Sequence, residues 1–167
     1  MSFNPELCKG CPIEGLYDPL APRGPEDARF LIVTDVPSMA SAKADRLMTS
    51  HQMNLLASKL TGIGFAKDDF RFTPACHCAF DQNEHVQKVK TAAIKHCRQH
   101  FLTEVESGDY EAIVPLGATA ATQVFGRATK ITKVRGFVSQ SEELGKPIFP
   151  FMSPSVVVSY PQNEPVF

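Results

Sequence analysis

No stretch of the 167-residue sequence is apolar for long enough to span a membrane, and the opening MSFNPELCKG lacks the charged segment and apolar run of a secretory leader. A soluble, cytoplasmic protein without a membrane partner is the expectation. Net charge is also lacking: 17 Lys and Arg stand against 18 Asp and Glu, a balance of −1. This excludes an overall basic field advertising nucleic acid, although a local basic groove is compatible with it. Internal repeats and low-complexity segments are absent too, and a hydrophobic content of 43% suffices for one domain with a proper core over residues 1–167. Five cysteines, an odd number, fit a disulfide framework poorly.

What is present begins with those cysteines. Cys8 and Cys11 form a CxxC pair near the start, with Cys78 in mid-chain and Cys97 further on. Two thiolates from a single turn can converge on one metal, and two lone cysteines from distant segments can complete four bonds. Iron–sulfur and zinc sites both want such a set; a single CxxC is also found as a redox dithiol, and buried cysteines as plain core residues.

Residues 12–28, rich in proline and glycine, read as an irregular wrap leading to the first core element. The continuous apolar run from Arg29 to Val33 suits a strand buried on both faces, as in a parallel sheet. It ends in the loop Thr34-Asp35-Val36-Pro37-Ser38, at the strand's carboxyl end, where open α/β sheets place ligands. Leu47, Leu55, Leu56 and Leu60 recur at helical spacing between Ala40 and Leu60, and residues 70–73 read as a second strand before Pro74. Val86, Val89, Ala93, Ile94, Cys97 and Phe101 mark a helix with Cys97 facing inward. Residues 112–116 predict a third strand, and a helix starting at Gly117 offers backbone amides to an anion such as phosphate. A fourth strand is expected over 148–151, and the apolar segment 156–160 reads as a last edge strand or as a surface for a partner chain. The alternation predicts an α/β fold, a three-layer α/β/α sandwich with a mostly parallel central sheet.

In this order the motifs resemble those of the iron–sulfur uracil-DNA glycosylases, the family-4 branch of that superfamily. That family opens with CxxC, then has a strand ending in a Gly-Glu-Ala-Pro-Gly loop, a strand carrying Thr-Asn before the third ligand cysteine, and a helix with the fourth. Leu-Gly-x-Thr-Ala-Ala, an Arg-Gly pair and a His-Pro loop follow. Here the matching residues are Cys8 and Cys11, Thr34 to Ser38, Thr73-Pro74, Cys78, Cys97, Leu116 to Ala121, Arg135-Gly136 and Ser153-Pro154-Ser155. The resemblance covers nearly the whole chain. It implies a 4Fe–4S cluster held by Cys8, Cys11, Cys78 and Cys97, with Cys76 a buried neighbour.

The resemblance also implies an altered base pocket at Asp35, Pro37, Met48, Pro74 and Ser153. Where the family stacks a Phe on uracil, counting without gaps arrives at Met48; where an Asn reads the base edge stands Pro74, with no side-chain amide and no N–H. Ser153 replaces the His that stabilises charge on the departing base, and Asp35 is the shortened remnant of the acidic water-orienting residue. Losing one preorganised donor typically costs a factor of about a hundred to a thousand. The expected protein is therefore a glycosylase fold without the reaction, an accessory or scaffold subunit on single-stranded or duplex DNA, recruited to a replication or repair partner. Two alternatives stand beside it: a slow or altered-specificity glycosylase using Asp35 and Ser153 or Ser155, and a protein-interaction or decoy module with no DNA function. Arg127, Lys130, Lys133, Arg135 and Ser155 are the expected DNA contacts, whereas Lys88, Lys90, Lys95 and Arg98 read as the wet face of an amphipathic helix. Asp35 also has a bland reading, as a turn residue bonding loop amides.

Overall fold

A computed structural model describes residues 3–80 and 87–162; the expected helix residue Val86 lies outside them. Five strands form the sheet: Phe30–Thr34 (β1), Phe70–Pro74 (β2), Ala112–Pro115 (β3), Ser139–Ser141 (β4) and Lys146–Ile148 (β5). The order is β2-β1-β3-β5-β4, parallel throughout except for β4, which runs antiparallel to β5 at the edge.

Parallel strands need crossover connections, and the helices Met39–Lys43 (α1), Ser50–Gly62 (α2), Gln87–Ser107 (α3), Ala118–Phe125 (α4), Ile131–Val134 (α5) and Pro154–Ser159 (α6) lie in the connections and after the last strand. Alternate strand residues face opposite layers. Leu31, Val33, Ile113 and Ile148 pack with Phe101 and Val105 of α3 and Val124 of α4. Phe30, Ile32, Val114 and Leu116 pack with Met53, Leu56 and Leu60 of α2. Leu31, Ile32 and Val33 are all sealed from solvent, which is why β1 reads as an unbroken apolar run. Each such side chain contributes roughly 1.5–3 kcal/mol of burial. The second face is less fully covered, leaving an apolar groove of about 320 Å³ bordered by Phe149 and Phe151. The proline-rich wrap closes the β2 edge, where Arg23 and Phe72 exchange backbone hydrogen bonds of 2.8 and 2.7 Å.

Four expectations change. The helix expected between Ala40 and Leu60 is two helices, each with its own cap. Ser38 accepts from the Ser41 amide at the start of α1, Asp45 takes a positive φ of 50° in the break, and Thr49 and Gln52 form a capping box on α2. The strand expected over 148–151 begins earlier, as Lys146–Ile148, and beyond it Phe149 N and Phe151 N still donate to Ile113 O and Pro115 O, both at 2.9 Å, with Phe151 bridging Leu116. The segment 156–160 is not an edge strand, because it belongs largely to α6, started by the Ser153 cap and Pro154 and packed on α2 with Val157 buried and Tyr160 exposed. Strand β4 was not expected, since its polar residues carry no alternating pattern. Among the described residues no helix is long and apolar enough to cross a membrane.

Candidate functional site

The carboxyl ends of β1 and β3 lie side by side, so the loop after β1 meets the start of α4. Gly117, at φ +107°, turns the chain into α4, and Asp35 places its carboxylate on the exposed amides there: Oδ1 accepts from Thr119 N and Ala120 N, both at 3.1 Å. The anion site expected at this helix start is therefore occupied by the chain's own carboxylate rather than left open for a phosphate. Amides without a partner inside the helix and the positive end of the helix dipole are what make the spot favourable. The fit is tight, for a Cβ on Gly117 would stand 2.0 Å from Asp35 Oδ2. Burial pushes the Asp35 carboxyl above the ordinary range, and the Ala120 amide, the Ser153 hydroxyl and the Thr119 amide pull it partly back.

Beside this carboxylate is a cavity of about 120 Å³ whose walls include Asp35, Leu47, Met48, Gln52, Ser153 and Ser155. A cavity of ~150 Å³ can accept a benzene ring, so the space is on the scale of one six-membered ring. Four of the expected residues thus meet in one place. Pro37 is buried but is not part of the wall, and Pro74, which pairs with Thr34 at the end of β2, is buried outside it. Ser153 is committed to local structure: its Oγ caps α6 through Ser155 N at 3.4 Å and meets Ser155 Oγ at 2.8 Å. Gln52 is the residue that sequence reasoning missed. Its Oε1 accepts from Thr49 N at 3.0 Å, and the cavity gains an amide side chain from a helix with no motif to announce it.

The cysteines form a second centre on the other side of β1 and β2. Cys11, Cys76, Cys78 and Cys97 pack in one cluster with Ile13, Phe80 and Ala93. Burial first, then the fields of Cys97, Cys8 and Cys11, push the Cys78 thiol up to about 12. Cys97 is raised by its hydrogen bond with Cys76 and by burial, while the His77 amide donates to its sulfur at 3.3 Å. Among the described residues no group of three or more Cys, His, Asp or Glu is spaced to hold a single ion. Thiolates are the donors that iron–sulfur groups take, and the charges of Glu14 and Asp18 also reach these thiols.

Histidines fasten the N-terminal turn to α3, a role their spacing did not disclose. His100 Nε2 lies 3.5 Å from Cys8 Sγ, Phe3 stacks on the His100 ring at 4.7 Å, and the Leu7 carbonyl is met by His96 Nε2 at 3.1 Å and by the Gln99 amide. Burial holds both His77 and His100 down at about 4, so near neutrality they are uncharged.

Among the expected DNA contacts, Arg127, Lys130 and Lys133 are exposed, and Arg135 is half-buried with Nη1 donating to Met152 Sδ at 2.8 Å. The α3 stripe is not simply a wet face: Lys90 is buried, and Arg98 binds the Gln123 carbonyl at 2.9 Å and both oxygens of Glu143. The family model of the uracil DNA glycosylase superfamily matches residues 21–167.

Proposed function

The chain belongs to the uracil DNA glycosylase superfamily, and on that premise we propose that it is an iron–sulfur member, of the family-4 kind, that no longer removes bases and serves as a DNA-associated accessory or scaffold subunit in replication or repair. The observation that carries this reading is the engagement of Asp35. A carboxylate that positions water must keep an oxygen lone pair for it, yet Oδ1 holds two amides and Ser153 also donates to the group. A second catalytic position is spent in the same way, since Ser153 caps α6.

The base pocket is weakened in parallel. Extruding a nucleotide costs a few kcal/mol that stacking and edge hydrogen bonds must offset. Met48 brings a flexible thioether to the stacking position and Pro74 brings no donor. Each lost donor removes a factor of about a hundred to a thousand, so the combined losses reach background.

Cys8, Cys11, Cys78 and Cys97 are the residues that would hold a 4Fe–4S cluster, which when bound supplies a structural cross-link. The protein's own part is to bring the Cys8–Cys11 turn onto α3 through His96, Gln99 and His100. Its retention beside a spent pocket suits a frame kept for binding.

The test is base release from uracil-containing single-stranded DNA by iron-loaded protein. A flat time course is expected; turnover above the uncatalysed rate overturns the reading. One observation favours the slow-glycosylase alternative, namely the amide of Gln52 in the cavity wall. That alternative requires release that disappears in both Asp35→Ala and Gln52→Ala.

A further inference from the structure

From Ala112 to Ser141 the chain carries four cations, Arg127, Lys130, Lys133 and Arg135, and not one acid. In a protein of net charge −1 this is a strongly asymmetric stretch. Among the described residues no ion pair engages Arg127, Lys130 or Lys133. At the end of the stretch two large apolar side chains point into solvent: Phe137 is 71% exposed and Val138 59%.

The exposed pair is held in place. Phe137 N donates to Val134 O at 3.3 Å, closing a turn through Gly136 at φ +76°, and Gly136 N donates to Pro150 O at 3.2 Å. Arg135, one residue earlier, reaches Met152 Sδ. The turn is thereby docked on the strand that leads into Ser153 and the cavity. Pro150 is three residues before Ser153, at most about 10 Å of chain. Stacked nucleotides advance about 3.4 Å each, so this is a separation of no more than about three nucleotides.

An exposed aromatic ring on a rigid turn, with unpaired cations before it, is the combination by which single-stranded nucleic acid is held: cations track the phosphates and the ring stacks on a base of any sequence. We propose that Phe137, flanked by Val138, is a stacking platform for an unpaired base of single-stranded DNA whose backbone runs along Arg127, Lys130 and Lys133. The inference rests on the DNA-association reading and names the strand type and the contact that this reading leaves open. It requires neither a flipped uracil nor any chemistry in the cavity.

The two interactions separate by their response to salt. Phosphate contacts release counterions, whereas stacking releases none. Binding of the iron-loaded protein to an undamaged, fluorescently labelled single strand is measured over a series of salt concentrations. Phe137→Ala is expected to weaken binding roughly tenfold, within the range of stacking on one base, with an unchanged salt slope. Phe137→Trp restores or exceeds wild-type affinity. Lys130→Ala combined with Lys133→Ala lowers the slope by about 1.4, at ~0.7 per phosphate on a single strand. Because Phe137 is exposed, its truncation leaves the melting temperature unmoved, which the same samples verify. Wild-type affinity in Phe137→Ala, or a loss accompanied by a changed slope, overturns the stacking platform while leaving DNA association intact. Absence of salt-dependent binding in the wild-type protein overturns both.

Discussion

Replacing Gly117 with alanine tests whether Asp35 is a structural anion. The new Cβ would lie 2.0 Å from Asp35 Oδ2, 2.5 Å from Cγ and 2.7 Å from Oδ1, distances that real Cβ atoms do not show, so the carboxylate must leave the α4 amides. Two costs follow. Holding a non-glycine residue at φ +107° and ψ 176° costs about 1–3 kcal/mol. Losing the charge-assisted bonds to Thr119 and Ala120 costs about 1.5–3 kcal/mol each if neither amide finds a new partner. Partial solvation of the freed groups brings the sum to about 4 kcal/mol, which for a chain of this size lowers the melting temperature by about 8–16 °C. Asp35→Ala alone loses the bonds without the backbone strain, about 3 kcal/mol. In the double variant the bonds are already gone and the clash is relieved, so the two effects fall short of additivity by about 2 kcal/mol. Urea denaturation of the four proteins measures the cycle. Strict additivity, or a Gly117→Ala protein as stable as wild type, would refute the argument that Asp35 is bound to the helix start.

The same carboxylate makes a pH prediction: its folded value is raised by burial, so its contribution is complete below the unfolded carboxyl value of ~3.9 and is lost as pH rises through the folded value. The stability of wild type relative to Asp35→Asn should accordingly fall as pH rises through the acidic range, and a flat difference contradicts it. Iron content separates ligands from the neighbouring thiol: Cys8→Ser, Cys11→Ser, Cys78→Ser and Cys97→Ser should each lose iron, whereas Cys76→Ser retains it, and the reverse result at Cys76 and Cys78 would exchange their roles. In the buried network on the far side of β2, Glu104 bonds Arg71 and accepts from the Tyr110 hydroxyl at 2.6 Å. Glu104→Ala removes the carboxylate from the buried Arg71 guanidinium, which keeps its bond to Gly24 O, and should cost about 3 kcal/mol in chemical denaturation, while a loss below 1 kcal/mol would mean that water reaches the pair.

Strands β1 and β3 were legible because a parallel sheet covered on both faces demands unbroken apolar runs, and residues 30–33 and 112–116 supply them, while β2 at the edge showed as Phe70 and Phe72 in alternation. The long helix around Cys97 was legible from its period. Other features depended on context that local sequence does not carry. Three valines favour a strand by propensity, yet Ser153 and Pro154 start a helix and α2 gives it a surface to bury. Gln52 shows in sequence only as one partner of a helix cap, and only packing turns that part of α2 toward the cavity.

Asp35 marks the boundary most clearly. From the sequence alone came a carboxylate after one strand and a glycine-led helix after another, each read as an open chemical opportunity. Only the adjacency of β1 and β3 joined them across 84 residues. A helix start accepts whichever anion the fold brings to it, and in this fold that anion is the carboxylate of Asp35.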